Sequence, residues 1–251
     1  MFQFNRGRRI FPGPKNKDWV RPAEENMDIL VVGTERNFQE LGQRLGAAHR
    51  YIHHHTRRIA ANDVGSAHLI FDFAPKQTPA DFDVYSQGEG FLFLNTSTIT
   101  LQKLLPGSVL ATRKRVYGFN GLDGFLTHAC MEIAALIEET KAEVADLFSR
   151  EQIDYAFVDD RVGMVTPRIV CMIVNEAFNT VNEGTASRSD IDLAMKLGTN
   201  YPYGPFEWCT RIGIASVYEL LEALYLDTND ERFRISPLLK KEYLGSQAQA
   251  T

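Results

Sequence analysis

The sequence predicts an α/β unit built on a parallel sheet, followed by an all-α unit, and three observations lead there. Short, nearly continuous apolar runs ("DILVVG", "AHLIFDFA", "GFLFLNTS") alternate with helical patterns from Met27 onward. Runs without polar alternation are what strands covered on both faces look like, and the interleaved helices are the crossovers that cover them. From Gly163 the strand signals stop and helical periodicity takes over. Third, 251 residues that are 44% hydrophobic and 24% charged have ordinary globular composition and enough length for two modest cores.

Residues 1–26 are polar, basic and Pro-containing and read as an extended lead-in. No apolar run follows its arginines, so it is not expected to be a secretory signal. "DILVVG" then reads as a strand and "NFQELGQRLGAA" as an amphipathic helix, with Asn37 a candidate N-cap. "AHLIFDFA", "GFLFLNTS" and "SVLATR" are further strands, each closed by Gly, Pro, Ser or Asn. "GFLTHACMEIAALIEETKAEVADLFSRE" reads as one or two helices, which sets His128 and Glu132 four apart on one face. "DYAFVDD" is the last strand, so the units divide near Asp159–Val162 into residues 27–160 and 161–251.

In the second unit "GMVTPRIVCMIVNEAFNTVNEG" ends on Gly184, suited to the left-handed position after a helix. "SRSDIDLAMKLG" opens with Ser187 and carries Asp190 three residues on, a capping box with Asp in place of Glu. "IASVYELLEALY" and "SPLLKKEYLG" complete four helices, and "GSQAQAT" reads as a frayed tail. Ile169, Ile173, Val174 and Phe178 share one apolar face, either core or dimer seam.

Several function classes lose support at this level. A formal net charge of −5 gives no footprint for nucleic acid. No apolar run reaches the ~18–20 residues that span a bilayer, so no membrane segment is expected. Cys130, Cys171 and Cys209 are far apart with no CxxC pair, and read as reduced, buried core thiols of a cytosolic protein rather than a metal site. His53–His55 are consecutive, so in an extended segment they point to alternating faces; they read as a polar loop or strand end, and no metal site is expected.

A strand that runs through glycine into a helix is how a Rossmann-like, dinucleotide-binding unit begins. Gly33 holds the first glycine position of that turn, but the third and sixth positions hold Glu35 and Phe38. A carboxylate at Glu35 would face a pyrophosphate, and a benzyl group at Phe38 would hold the helix off the sheet. The acidic residue expected ~20 positions on, which would bind a ribose, is replaced by "YIHHHTRR", where Arg57 and Arg58 could accommodate an NADP phosphate.

"NEAF" (Asn175–Phe178), "EGTAS", "DIDLAMKLG" and "YPYGPFEW" (Tyr201–Trp208) occur in an order and spacing that resemble the C-terminal helical domain of the 3-hydroxyacyl-CoA dehydrogenases, among them the bacterial 3-hydroxybutyryl-CoA dehydrogenases. "FLFLNTST" is similar to that family's strand ending in Asn-Thr-Ser, and "RVYGFNGLDGFLTHACMEI" to its catalytic strand and loop. The resemblance runs from Met27 to about Leu239. It implies NAD as cofactor, with Gly33, Thr96 and Ser97 as cofactor contacts. It implies an acyl-CoA-like small molecule, with Asn120 and Tyr203 as substrate contacts, and a homodimer formed through the helical domain.

Residue by residue, the resemblance places departures at the chemistry. Matching Phe119–Asn120 to the family's Phe-Asn puts Tyr117 where the histidine base stands, and Gly121 where a proline stands. Pro167 falls on the family's asparagine, and Glu132, reached by a short insertion, on the carboxylate that partners the base. A tyrosine with pKa near 10 is a poor base at pH 7. His128 with Glu132 reads either as a relocated dyad or as a local hydrogen bond on a helix face. The family's long helical segment after the second strand, which contributes to CoA binding, is reduced to "TRRIAANDVGS". The expectation is a divergent family member, catalytically impaired or inactive, acting as a ligand- or partner-binding protein or a dimerisation module. The alternative is an active NAD(P)-dependent 3-hydroxyacyl-CoA dehydrogenase of fatty-acid metabolism.

Overall fold

The computed structural model of the protein describes residues 26–74, 79–127 and 130–249. Seven strands form one sheet: β1 (Asp28–Val32), β2 (Arg50–His54), β3 (Leu69–Asp72), β4 (Phe91–Asn95), β5 (Val116–Phe119), β6 (Met131–Ala134) and β7 (Tyr155–Phe157). Their order is β2-β1-β3-β4-β5-β6-β7, parallel throughout except between β5 and β6. Chain order reverses at β1, so the crevice that such sheets use for ligands lies beyond the C-terminal ends of β1 and β3.

The period-two alternation of strands sorts the side chains into two layers. Ile29, Val31, Phe71, Phe93, Tyr117 and Phe119 pack with Leu41 of α1 (Glu35–Leu45) and Val144 and Phe148 of α4 (Lys141–Arg150). Leu30, Val32, Ile70, Leu92 and Leu94 pack on the other face with Val64 of α2 (Ala61–Ser66), Leu101 of α3 (Leu101–Leu104) and Phe82. The C-terminal unit is helical: α5 (Thr166–Asn182), α6 (Arg188–Thr199), α7 (Pro205–Ile212), α8 (Ile214–Thr228) and α9 (Pro237–Gln249). Its core joins Cys171, Val174 and Phe178 of α5 to Trp208 of α7 and Leu220, Leu221 and Leu224 of α8. Ile169, on the same helix, is instead exposed. Among the described residues no helix is long and apolar enough to cross a membrane.

The structure corrects several local readings. "SVLATR" is no strand; Val109–Thr112 forms a 3-10 turn, and the strand is the next segment, Val116–Phe119. The N-cap of α1 is Thr34, which is extended and accepts from Asn37 N, while Asn37 occupies the third helical position. The run "CMEIA" is strand β6, pairing Phe119 with Ile133 and Gly118 with Ala134, and regular α-helix starts only at Lys141. Its alternation of Met131 and Ile133 against Glu132 and Ala134 suits the slot between β5 and β7, which outweighs local helical preference. Glu132 therefore lies on a strand, and the helical pairing with His128 falls away; His128 itself lies outside the described residues. The helical unit has five helices rather than four, because Gly204-Pro205 starts α7 within "YPYGPFEW". Finally α9 continues to Gln249, where a frayed tail was expected.

Candidate functional site

The site that the sequence points to is the end of β1. Gly33 continues that strand, donating its N–H to His54 O at 2.9 Å. A Cβ on Gly33 would come within 2.8 Å of Asn37 Oδ1 and 2.9 Å of Phe73 Cβ, so only glycine fits. Thr34 then closes the N-terminus of α1 with a reciprocal box: its Oγ1 accepts from Asn37 N at 3.2 Å, and Asn37 Oδ1 accepts from Thr34 N at 2.9 Å. Helix N-termini bind phosphate through such free N–H groups, and here two of them are already bonded within the chain. Glu35, exposed, adds a carboxylate 3.6 Å from His53 Nδ1. Phe38 lies flat on His53, ring centroids 4.8 Å apart, and fills the space between α1 and the end of β2.

A loop then covers this helix end. Asn37 Nδ2 donates to Asp123 Oδ1 at 2.9 Å. Gly124 N donates to both oxygens of buried Glu40, at 2.9 and 3.1 Å, with Gly124 at φ +80°. Arg36 ties the assembly together, bonding Glu40 at 2.9 Å and reaching Asp123 at 3.4 Å. Its Nη2 donates to Arg211 O, in the last turn of α7, at 2.6 Å. The segment "LDGFLT" is thus clamped between α1 and the helical unit, with Asp123 bonded to Asn37 in the first turn of α1. Burial pushes the Asp123 carboxyl above its ordinary pKa, and Arg36 only partly counters it.

The polar residues at the ends of β4 and β5 bond one another. Asn95 Oδ1 accepts from Ser97 N (3.2 Å), Ser97 Oγ (2.7 Å) and Gly121 N (3.1 Å). Asn120 Oδ1 accepts from Ser97 Oγ at 3.3 Å and Leu122 N at 3.2 Å. Ser97 O receives Gly163 N at 2.7 Å, which ties this knot to the start of the helical unit. A Cβ at Gly121 would stand 2.6 Å from Asn95 Cγ, which explains why a proline is absent there. Thr96 and Ser97, expected to hold a cofactor, are both buried, and so is Asn120.

The expected catalytic pair is separated by the sheet. Tyr117 is fully buried in the layer under α4; its hydroxyl donates to Thr140 O at 2.9 Å, and its ring stacks on Phe93. Burial raises its pKa further above 10, opposite to what a base needs. Glu132 shares its strand face with Ala134, in the opposite layer to Met131, Ile133 and Tyr117. Its carboxylate accepts from Val165 N at 3.0 Å, Thr166 N at 2.8 Å and Thr166 Oγ1, capping the N-terminus of α5. This placement does not support Tyr117 as a base partnered by Glu132. Pro167 is buried in the first turn of α5. Tyr203 packs within the helical unit, edge-on to Trp208 at 5.0 Å and beneath the Arg211 guanidinium at 4.1 Å. Arg57, considered for an NADP phosphate, bonds fully buried Asp72 at 2.6 Å, an oxygen shared with Tyr85 Oη at 2.8 Å.

The Gly33 turn, Ser97 and Asn120 lie at one end of the sheet, past the C-terminal ends of β1, β4 and β5. Sequence reading missed Arg36, Glu40, Asn95 and Asp123, which set the character of that end. Only the Thr34-x-x-Asn37 spacing carried a local signal. Among the described residues no group of three or more His, Cys, Asp or Glu is placed to hold a metal ion. At the end of β1 the N-terminus of α1 is capped from within by Thr34 and Asn37, and Asp123 accepts from the Asn37 side chain.

Residues 163–249 match the family model described as 3-hydroxyacyl-CoA dehydrogenase, C-terminal domain. The chain is 44% identical over 87 residues to a 3-hydroxyadipyl-CoA dehydrogenase of Escherichia coli K12, covering 35% of this chain and 18% of that protein. It is 31% identical over 150 residues to a probable 3-hydroxybutyryl-CoA dehydrogenase of Bacillus subtilis, covering 59% of this chain and 52% of that protein. The matched region thus spans about half the length of that relative. The crystal structure of an (S)-3-hydroxybutyryl-CoA dehydrogenase from Ralstonia eutropha superposes with a TM-score of 0.69 at 20% identity, covering 88% of this chain and 94% of that one. At that identity the likeness shows the fold.

Proposed function

Since the chain belongs to the 3-hydroxyacyl-CoA dehydrogenase family, we propose that it is a member that has given up hydride transfer and serves as a homodimeric binding protein of the cytoplasm. The observation that carries this reading is the closed N-terminus of α1. In a working dehydrogenase of this fold that helix end must be open to a pyrophosphate. Here Thr34 and Asn37 cap each other, and Asp123 takes the side-chain amide that remains. Hydride transfer also needs a base oriented by a partner within hydrogen-bond reach. Tyr117 and Glu132 each have other partners, on opposite faces of the sheet.

What remains useful is surface. Leu193 and Leu197 of α6, Leu226 of α8 and Leu244 of α9 are all exposed, and α6 has no buried residue of its own. Apolar side chains on helices of this unit support a dimer seam, as does its strong family likeness. Of the three cysteines expected in the core, Cys171 and Cys209 are buried, whereas Cys130 is exposed beside the start of β6. The test is a turnover assay with 3-hydroxybutyryl-CoA and NAD or NADP. Loss of a base typically costs roughly 10²–10⁴-fold, so the rate should fall below detection. Turnover that disappears in Tyr117→Phe would overturn the reading and make that tyrosine a base.

A further inference from the structure

The three histidines at the end of β2 are divided by the alternation of the strand. His54 turns toward α2, where its Nε2 lies 3.0 Å from Asp63 Oδ2. His53 and His55 share the opposite face, their ring centroids 4.5 Å apart and their planes at 67°. The His53 ring is held on two sides. Phe38 lies flat against it at 4.8 Å, and its Nε2 stands 3.0 Å from Gly33 O. A backbone carbonyl only accepts, so Nε2 carries the hydrogen and the lone pair of the neutral ring sits on Nδ1.

That Nδ1 stands 3.6 Å from Glu35 Oε2, while Oε1 of the same carboxylate accepts from Gln39 Nε2 at 3.0 Å. Two electron-pair donors thus meet across a gap too long for a hydrogen bond. Zinc binds an imidazole nitrogen at ~2.0–2.1 Å and a carboxylate oxygen at ~2.0–2.2 Å, which at a tetrahedral angle sets the two about 3.4 Å apart. Nδ1 and Oε2 stand close to that spacing. A ligand histidine characteristically gives its other ring N–H to a carbonyl or carboxylate, which fixes its tautomer and orientation. His53 does this with Gly33 O. His55 is exposed, so its ring can turn to supply a third donor. Two imidazoles with one carboxylate suit a borderline divalent cation, whereas calcium and magnesium take oxygen ligands.

We propose that His53 Nδ1, His55 and Glu35 hold one zinc ion, or a similar divalent transition cation, where β2 meets the first turn of α1, with the fourth position left to water. His53 and Glu35 already stand at the required separation, and His55 joins them on binding. The ion therefore ties the start of α1 to the end of β2. The site does not depend on the loss of dinucleotide binding. The reading of the cleft is tested by NAD and this one by zinc, so each can fail alone.

The experiment is titration calorimetry of the chelator-treated chain with zinc chloride, in a buffer that does not bind zinc. One equivalent should bind with a micromolar dissociation constant. Removing even an outer partner of a metal ligand typically costs ~10–100-fold in affinity, so His55→Ala and Glu35→Gln should each weaken binding by at least about tenfold. Both side chains are exposed, so both variants should fold. His54→Ala, on the other face of the strand, should bind zinc as the wild type does. NMR of the ring nitrogens in the wild-type chain locates the ion without any substitution: zinc should move the Nδ1 signal of His53 and leave its Nε2 protonated. Binding weaker than millimolar, or a His53 signal that zinc does not move, would overturn the proposal. So would affinity unchanged in both variants, or weakened as much by His54→Ala as by His55→Ala, since either means adventitious binding only.

Discussion

Replacing Glu132 tests whether this carboxylate serves the fold or a reaction. Its two oxygens accept from Val165 N, Thr166 N and Thr166 Oγ1, at a buried point where the sheet meets the first helix of the C-terminal unit. Glu132→Ala removes all three acceptors at once, together with a negative charge at a helix N-terminus. Losing a cap typically costs about 0.5–2 kcal/mol, and each buried donor left unpaired about 1–3 kcal/mol. Water entering the gap recovers part of this, so a loss of about 3 kcal/mol is expected. For a chain of this length that lowers Tm by roughly 6–12 °C. Glu132→Gln keeps one acceptor and should lose about half as much. The assay is urea unfolding followed by circular dichroism, with an unchanged slope showing that stability rather than compactness has moved. A catalytic carboxylate held at the expense of stability would behave the other way. If Glu132→Ala were as stable as the wild type, or more so, the capping account would be wrong.

Other outcomes follow from the same geometry. Burial raises the folded-state pKa of Asp123, so its protonated form favours folding; that contribution is complete below the unfolded pKa of ~3.9 and is lost as pH rises through the folded value. Asp123→Asn, which can still accept from Asn37, should raise Tm at pH 7 and match the wild type below about pH 4; melting curves showing no gain at pH 7 would contradict this. Gly121→Ala sets a Cβ 2.6 Å from Asn95 Cγ and should cost ~1–3 kcal/mol, as overpacking does, so an unchanged chemical-denaturation midpoint would mean that the Asn95 knot yields freely. Size-exclusion chromatography with light scattering should give a dimer at micromolar concentration, and a monomer there would remove the proposed seam.

How much of this was legible in the sequence depends on the range of the interaction. The parallel strands could be read because Ile29–Val32, Leu69–Asp72 and Leu92–Leu94 are buried on both faces and so carry unbroken apolar runs. The Ser187 cap and Gly184 stop could be read because both are local: Ser187 accepts from Asp190 N, and Gly184 sits at φ +73°. β6 could not, because "MEIAALI" satisfies both a strand and a helix, and the decision lies in its pairing with β5 and β7. The contacts around the start of α1 were out of reach for the same reason. Asn37 meets Asp123 across 86 residues, Glu40 meets Gly124 across 84, and Arg36 meets Arg211 across 175. Such contacts leave no spacing pattern. The sequence could show that the second and third glycines of the turn were absent, but not that Asn37 bonds Asp123 at the start of the helix.

Binding of NAD to the purified chain tests the central claim most directly. Calorimetry at 25 °C, with NADP titrated alongside, reads the affinity without depending on turnover. With Thr34 and Asn37 capping each other and Asp123 bonded to Asn37, neither nucleotide should bind more tightly than about millimolar, roughly −4 kcal/mol. A dissociation constant in the micromolar range for either one would mean that the α1 terminus opens to a pyrophosphate after all, and the account of a closed, non-catalytic cleft would not stand.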